Sequence, residues 1–202
     1  SPESEKALRA IVEGALADVD AQMSTYRSDS DLMVINQSQS TDSVDIQSEL
    51  RTVLAESIEI GSQSDGAFDV TVGPLVQAWG FGPDDQRTPP KADVLEELKS
   101  IVGQDKLVLD GSRLRKTHPE VEIDLSAIAK GYAVDLMVER LEASGRNDLM
   151  AEVGGEIVAR GVNPQGNVWR LGIEKPTESD RTVHQVVELQ DAAMATSGDY
   201  RN

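Results

Sequence analysis

The sequence predicts an α+β fold, with N-terminal helices followed by mainly antiparallel strands and one long helix among them, in a single domain. Three observations predict it. Apolar residues recur at helical spacing through the first hundred positions, alternating segments separated by glycine turns fill the second half, and one further helical stretch interrupts those strands. The chain has 202 residues, long enough to bury a proper core.

The first helix is expected from about Glu3 to Thr25, with Leu8, Ile11, Val12, Leu16, Val19 and Met23 on one face. The polar run Arg27–Asp31 ends it, and Ser28 or Ser30 caps a short second helix carrying Leu32, Met33 and Ile35. Gln37 to Asp45 reads as loop. Another helix carries Ile46, Leu50, Val53, Leu54 and Ile58 and ends near Ser62, before the turn signal Asp65-Gly66. Glycine and proline density from Gly66 to Pro83 opposes any regular element there. A Pro-rich polar loop follows at Asp84–Lys91, then an amphipathic helix at Ala92–Val102.

Lys106–Asp110 and Arg113–Thr117 flank Asp110-Gly111 and read as a hairpin. Val121–Asp124 reads as a strand running into a helix from about Ser126 to Ser144, which Gly145 stops. Strands are expected at about Leu149–Val153, Glu156–Arg160, Val168–Glu174, Thr182–Leu189 and Ala193–Thr196.

Composition excludes several functions. With 19 Lys+Arg against 36 Asp+Glu, the net charge of −17 argues against binding nucleic acid by phosphate neutralisation. The absence of cysteine excludes a disulfide scaffold, a thiolate zinc site and a cysteine nucleophile. No apolar window is long enough to span a membrane, and SPESEKALRA lacks the apolar stretch of a signal peptide. His118 and His184 read as surface residues. No metal-binding His pair, Walker loop, G-x-S-x-G elbow or Rossmann fingerprint occurs.

Four segments carry residue types that are unusual for structure alone. Tyr26 stands at the polar end of a long helix, either packed there or flanking a planar ligand. Asp65-Gly-Ala-Phe-Asp69, followed by Val72-Gly-Pro74 and Trp79-Gly-Phe-Gly82, combines a carboxylate with backbone that a ligand can approach closely; a tightly packed loop is the other reading. In Ile123-Asp-Leu-Ser-Ala-Ile-Ala-Lys-Gly131, small residues open a helix whose amides suit phosphate oxygens, and Lys130 adds a point charge. Asp124 there either bonds a base or hydroxyl or caps the helix. Val153-Gly-Gly-Glu-Ile157 reads first as a turn or bulge, and Thr196-Ser-Gly-Asp-Tyr200 offers hydroxyls and amides to a polar pocket.

Taken together, these segments resemble the FAD:protein FMN transferases, the ApbE-like flavin transferases. The strings are MSTYRSDSDLMVIN (23–36), DGAFDVTVGPLVQAWGFGP (65–83), IDLSAIAKGYAVD (123–135), VGGEIVARG (153–161), VWRLGIEKP (168–176) and TSGDYRN (196–202), in the family's order and spacing. The resemblance implies a single α+β body with a deep FAD pocket. It implies Mg²⁺-dependent cleavage of FAD, release of AMP, and attachment of FMN by a phosphoester to a Thr or Ser of a target protein. Implied targets are flavin-carrying subunits of Rnf-type or sodium-pumping NADH:quinone oxidoreductase complexes, and some members hydrolyse FAD to FMN and AMP instead. A non-catalytic flavin-binding protein is a third reading. By position, Tyr26, Ala67, Phe68, Asp69, Asp124 and Lys130 match FAD-binding residues, and Ala127 matches a carbonyl ligand of the metal. No catalytic residue is assigned. The resemblance also implies export, to the periplasm or as a lipid-anchored protein outside the bacterial inner membrane.

The family's first strand, with its Met-Gly-Thr motif, and its later His and Asp/Thr segments have no counterpart among residues 1–202. These residues by themselves are therefore expected to bind Mg²⁺ and FAD poorly. Robust covalent flavin fluorescence on a target peptide, produced by this segment alone, would refute that.

Overall fold

The computed structural model describes residues 2–81, 89–175 and 182–197. Most of the loop read at Asp84–Lys91 lies outside the described residues, as do Gly82, Pro83 and positions 198–202 of the last motif. Helix α1 (Pro2–Met23) has Glu3 and Glu5 in its first turn, where they oppose the positive end of the helix dipole. Its buried residues Ala15, Val19 and Met23 step by four; Leu16, expected on the same face, is exposed to one side of that stripe. Two compact units are distinguished, residues 17–129 and residues 1–16 with 130–202.

In the 17–129 unit, Ser30 is the cap that starts α2 (Asp31–Gln37). Its buried hydroxyl accepts from the Met33 amide at 3.1 Å and donates to the Ser24 carbonyl at 2.7 Å, while Arg27 pairs with Asp20 and Asp29, both at 3.0 Å. Helix α2 buries Leu32, Ile35 and Asn36. The loop expected at Gln37–Asp45 holds a short strand, β1 (Val44–Asp45), and the Ile46 amide donates to the Ser112 carbonyl at 2.8 Å. Ile46 thus extends a sheet edge, and the next helix, α3 (Ser48–Gln63), starts after it, burying Leu50, Val53 and Leu54.

The glycine-rich stretch holds a short helix, α4 (Gly73–Ala78), which corrects the expectation of no regular element. Pro74 lies at the helix start, where a missing N–H costs nothing, so proline opens this helix instead of breaking it. Helix α5 (Ala92–Ile101) follows as expected. Strands β2 (Leu107–Asp110) and β3 (Arg113–Lys116) form the hairpin about Gly111-Ser112, and the antiparallel sheet runs β1-β3-β2 with Val44 opposite Leu114.

Residues 121–125 correct a second expectation. Val121, Ile123 and Leu125 are buried in strict alternation, yet among the described residues the only ladder contact is one parallel bridge, Val72 to Glu122. Partners other than a strand satisfy this backbone. The Asn36 amide group donates to the Ile123 carbonyl at 2.9 Å and accepts from its N–H at 2.8 Å, and the Asp124 amide donates to the Val70 carbonyl at 2.7 Å. The helix expected from Ser126 begins later, because residues 126–128 form a turn.

In the second unit, α6 (Ala129–Ala143) buries Ala133, Val134, Leu136, Met137 and Val138 and ends before Gly145, at φ +85°. Strands β4 (Leu149–Val153), β5 (Glu156–Arg160) and β8 (Ala192–Met194) make an antiparallel sheet in the order β4-β5-β8. Strands β6 (Trp169–Glu174) and β7 (Val183–Leu189) pair with each other. The α+β class and the antiparallel strands are as the sequence predicts. No helix among the described residues is long and apolar enough to cross a membrane.

Leu50, Leu54, Leu114, Ile123 and Leu125 are fully buried, each contributing about 1.5–3 kcal/mol. Asn36 is buried among them and closes two hydrogen bonds that no strand supplies. Asn36→Ala leaves a buried N–H and C=O unpaired and is expected to cost about 2–5 kcal/mol. Urea unfolding of the two proteins checks this; a loss below about 0.5 kcal/mol would remove Asn36 from that role.

Candidate functional site

The 17–129 unit contains a cavity of about 660 Å³, within the range of about 300–1,000 Å³ usual for small-molecule sites. Its wall is assembled from four chain segments: the turn after α1, helix α2, residues 66–81 and residues 122–127. The turn after α1 supplies Tyr26, residues 66–81 supply Ala67, Phe68 and Asp69, and residues 122–127 supply Asp124 and Ala127. Six of the seven site residues expected from the sequence therefore line one cavity.

Each segment is held by its own contacts. The Phe68 N–H donates to the Ser64 hydroxyl at 3.0 Å, and its carbonyl accepts from the Gln104 side chain at 3.1 Å. Oδ1 of Asp69 accepts from the Thr71 amide at 2.7 Å and from the Thr71 hydroxyl at 2.6 Å. Thr71 is fully buried, and its hydroxyl oxygen accepts from the Gly103 amide at 2.7 Å. Oδ1 of Asp124 accepts from the Ser126 amide at 2.7 Å, which caps the turn before α6. Both aspartates are thus fixed through one oxygen, and Oδ2 of each has no hydrogen bond among the described residues.

The rings stand differently. Tyr26 is 77% exposed and Phe81 64%, so hydrophobic burial does not hold them down, whereas Phe68 is half-buried. Such rings can cover the face of a planar group entering the cavity.

Sequence reasoning missed three wall residues. Asn36 lines the cavity as well as bracing Ile123, and Gln77 and Glu122 form a pair, with Gln77 Nε2 donating to Glu122 Oε2 at 2.6 Å. The signal for Glu122 was the alternation Val-Glu-Ile-Asp, which marks it as facing away from the core but gives no partner. Gly73 allows the approach: a Cβ there would lie 3.0 Å from the Glu122 carbonyl oxygen and 3.1 Å from its Cβ. Burial pushes the Glu122 carboxyl above its ordinary value, against the hydrogen bond from Gln77 and the charge of Lys116. Lys116 is buried too, with Nζ donating to the carbonyls of Asn36, Ser38 and Pro119 at 3.2, 3.0 and 2.9 Å, and burial lowers its pKa.

Lys130, the seventh expected residue, lies on α6 in the second unit. Its ammonium pairs with Glu156 Oε1 at 2.8 Å and donates to the Gly154 carbonyl at 3.4 Å. Gly154-Gly155 form the turn between β4 and β5, at φ +58° and +95°, so the hairpin reading of that motif holds. His118 and His184 are exposed, as expected. Among the described residues no three His, Asp or Glu gather as a metal site, and Ala127 offers only its carbonyl. These residues do not by themselves make the oxygen shell that Mg²⁺ requires.

The model of the ApbE family matches residues 3–202. The chain belongs to the ApbE family. It is 42% identical over 198 residues to an FAD:protein FMN transferase of Vibrio cholerae, covering 98% of this chain and 59% of that protein. An FAD:protein FMN transferase of Haemophilus influenzae is 44% identical over 197 residues, covering 94% of this chain and 57% of that protein. The solved flavin transferase ApbE from Vibrio cholerae superposes with a TM-score of 0.90 at 42% identity, covering 97% of this chain and 64% of that one. This ApbE chain thus spans under two thirds of the relatives it matches.

Because the Glu122 carboxyl is raised in the folded state, the folded protein holds its proton more tightly than the unfolded chain. The stability linked to it is complete below about pH 4.5, the ordinary value, and is lost as pH rises through the raised value. Glu122→Gln is expected to flatten that part of the stability–pH curve above the ordinary glutamate value. Denaturant titrations at several pH values check this, and an unchanged slope in the variant would sink the assignment.

Proposed function

We propose that this chain is the FAD-binding part of a Mg²⁺-dependent flavin transferase. The enzyme cleaves FAD, releases AMP, and joins FMN through a phosphoester to a Thr or Ser of a target protein. One observation carries the reading: Tyr26, Ala67, Phe68, Asp69, Asp124 and Ala127 line one cavity in a chain of the ApbE family.

The physical chemistry of the cavity suits this substrate. In the reaction a hydroxyl oxygen attacks the FMN phosphorus, the bond from that phosphorus to the oxygen of the AMP phosphate breaks, and the hydroxyl proton passes to a base. Such transfer depends on in-line placement and on charge stabilisation more than on covalent chemistry by the protein. Asp69 and Asp124 each keep one carboxylate oxygen for a hydroxyl or ring N–H of the dinucleotide. Tyr26 and Phe68 present rings to a flat heterocycle. By the resemblance of its string to the family's, Lys130 is proposed as a further FAD contact.

Bound Mg²⁺ would neutralise charge on the diphosphate and stabilise the leaving phosphate. Ala127 is proposed to give it one carbonyl oxygen. No step above is routed through the ion, because the described residues do not complete its shell.

The acceptor class we propose is the flavin-carrying subunits of Rnf-type or sodium-pumping NADH:quinone oxidoreductase complexes. The location we propose is outside the bacterial inner membrane, periplasmic or lipid-anchored. Both follow from the resemblance between the motifs and the family.

The test uses the full-length protein with FAD, Mg²⁺ and a target peptide bearing a Ser/Thr acceptor. Covalent flavin fluorescence and AMP should appear in equal amounts and vanish on chelation. Asp69→Ala, Asp124→Ala and Tyr26→Ala should each weaken FAD binding about tenfold, or about 1.4 kcal/mol. AMP release without labelling would replace this reading with a pyrophosphatase, and intact FAD would replace it with a flavin-binding protein.

A further inference from the structure

Gly103 and Gln104 stand outside the cavity wall yet hold two of the residues on it. They form a corner between α5 and β2, within the 17–129 unit, and reach Asp69 and Phe68 by separate routes.

The first route passes through Thr71. The Gly103 N–H donates to the Thr71 hydroxyl oxygen at 2.7 Å, and that hydroxyl donates to Asp69 Oδ1 at 2.6 Å. Thr71 is fully buried and does not itself line the cavity. A hydroxyl has one proton, and here it goes to the carboxylate while the Gly103 N–H approaches the oxygen as a donor. The Thr71 amide adds a second bond to the same Oδ1 at 2.7 Å. Held by two donors, the Asp69 carboxylate has little freedom to rotate.

The second route is the Gln104 side chain. Its Nε2 uses both protons, one on the Phe68 carbonyl at 3.1 Å and one on the Ser57 carbonyl at 3.2 Å. Ser57 is a buried residue of α3, so the loop carrying Phe68 is tied to a helix. The reach depends on Gly61, one turn farther along α3, where a Cβ would overlap the Gln104 amide group.

An acceptor for the Gly103 N–H is all that packing this corner requires. Thr71 also donates, and the atom that receives its proton belongs to a carboxylate on the cavity wall. We propose that Thr71 and Gln104 are positioning residues: through them the Gly103-Gln104 corner sets the Asp69 carboxylate and the Phe68 backbone for uptake of the dinucleotide. The inference rests on Asp69 and Phe68 as FAD contacts and adds the groups that hold them ready. Fixing a contact before binding removes the ordering entropy that a loose side chain loses on capture.

The experiment measures dissociation constants for FAD by flavin fluorescence in the full-length protein, well below the thermal midpoint of each variant. The variants are Thr71→Val, Thr71→Ser, Gln104→Met and Asp69→Ala, with Thr71→Val also placed in the Asp69→Ala protein. Thr71→Val keeps the shape, removes the hydroxyl and should weaken FAD binding about fivefold, less than Asp69→Ala. Thr71→Ser restores the hydroxyl and should stay within about twofold of the parent, even where its midpoint falls. Gln104→Met should weaken FAD binding about threefold. In the Asp69→Ala background Thr71→Val should have no further effect, because it acts through that carboxylate. A folded Thr71→Val or Gln104→Met protein that binds FAD like the parent, while Asp69→Ala does not, would overturn the positioning role of that residue and leave the Asp69 contact standing. Equal losses from Thr71→Val with and without Asp69 would make Thr71 purely structural. Asp69→Ala with unchanged FAD affinity would overturn the Asp69 contact and the role of Thr71 with it.

Discussion

The cavity depends on one side chain doing what a β-strand ordinarily does. Asn36, buried at the end of α2, exchanges two hydrogen bonds with the backbone of Ile123 and so fixes residues 121–125 without a ladder. Those residues carry Glu122, Asp124 and, just beyond, Ala127 on the cavity wall. The amide group satisfies the same N–H and C=O from one point and leaves the neighbouring residues free to face a ligand. Lys116 secures the arrangement from behind, its ammonium gathering the carbonyls of Asn36, Ser38 and Pro119.

Charge is distributed to match. Asp69, Glu122 and Asp124 line the cavity and no lysine or arginine does so among the described residues. With a net charge of −17, the chain repels a diphosphate on average. The acidic wall therefore favours hydrogen-bond donors and cations over bare anions. In the other unit the Lys130 ammonium pairs with Glu156 Oε1 at 2.8 Å.

Much of the architecture was legible because it rests on local physics. The faces of α1 and α3, the Ser30 cap, the β2–β3 hairpin and the Gly154-Gly155 turn follow from periodicity and turn chemistry, which act over a few residues. The errors share one cause. Strand β1 has only two residues and exists because β3 is beside it. Helix α4 forms in a glycine-rich stretch because Pro74 starts it and the Val72–Glu122 bridge anchors its entry. Residues 121–125 alternate like a strand, and what pairs with them lies 87 positions away in sequence.

The site divides along the same line. Tyr26, Ala67–Asp69, Asp124, Ala127 and Lys130 could be named because the strings that hold them resemble those of the family. Asn36, Gln77, Glu122 and Glu156 could not be given roles, since an asparagine in a helix or a glutamate in a strand acquires meaning only from its partner. The sequence by itself determined the α+β class, most element positions and a set of candidate site residues. Tertiary structure alone decided that six of those residues share one cavity, that Asn36 stands in for a strand, and that Glu156 pairs with Lys130. Those are contacts across long stretches of chain, and no local pattern encodes which groups finally meet.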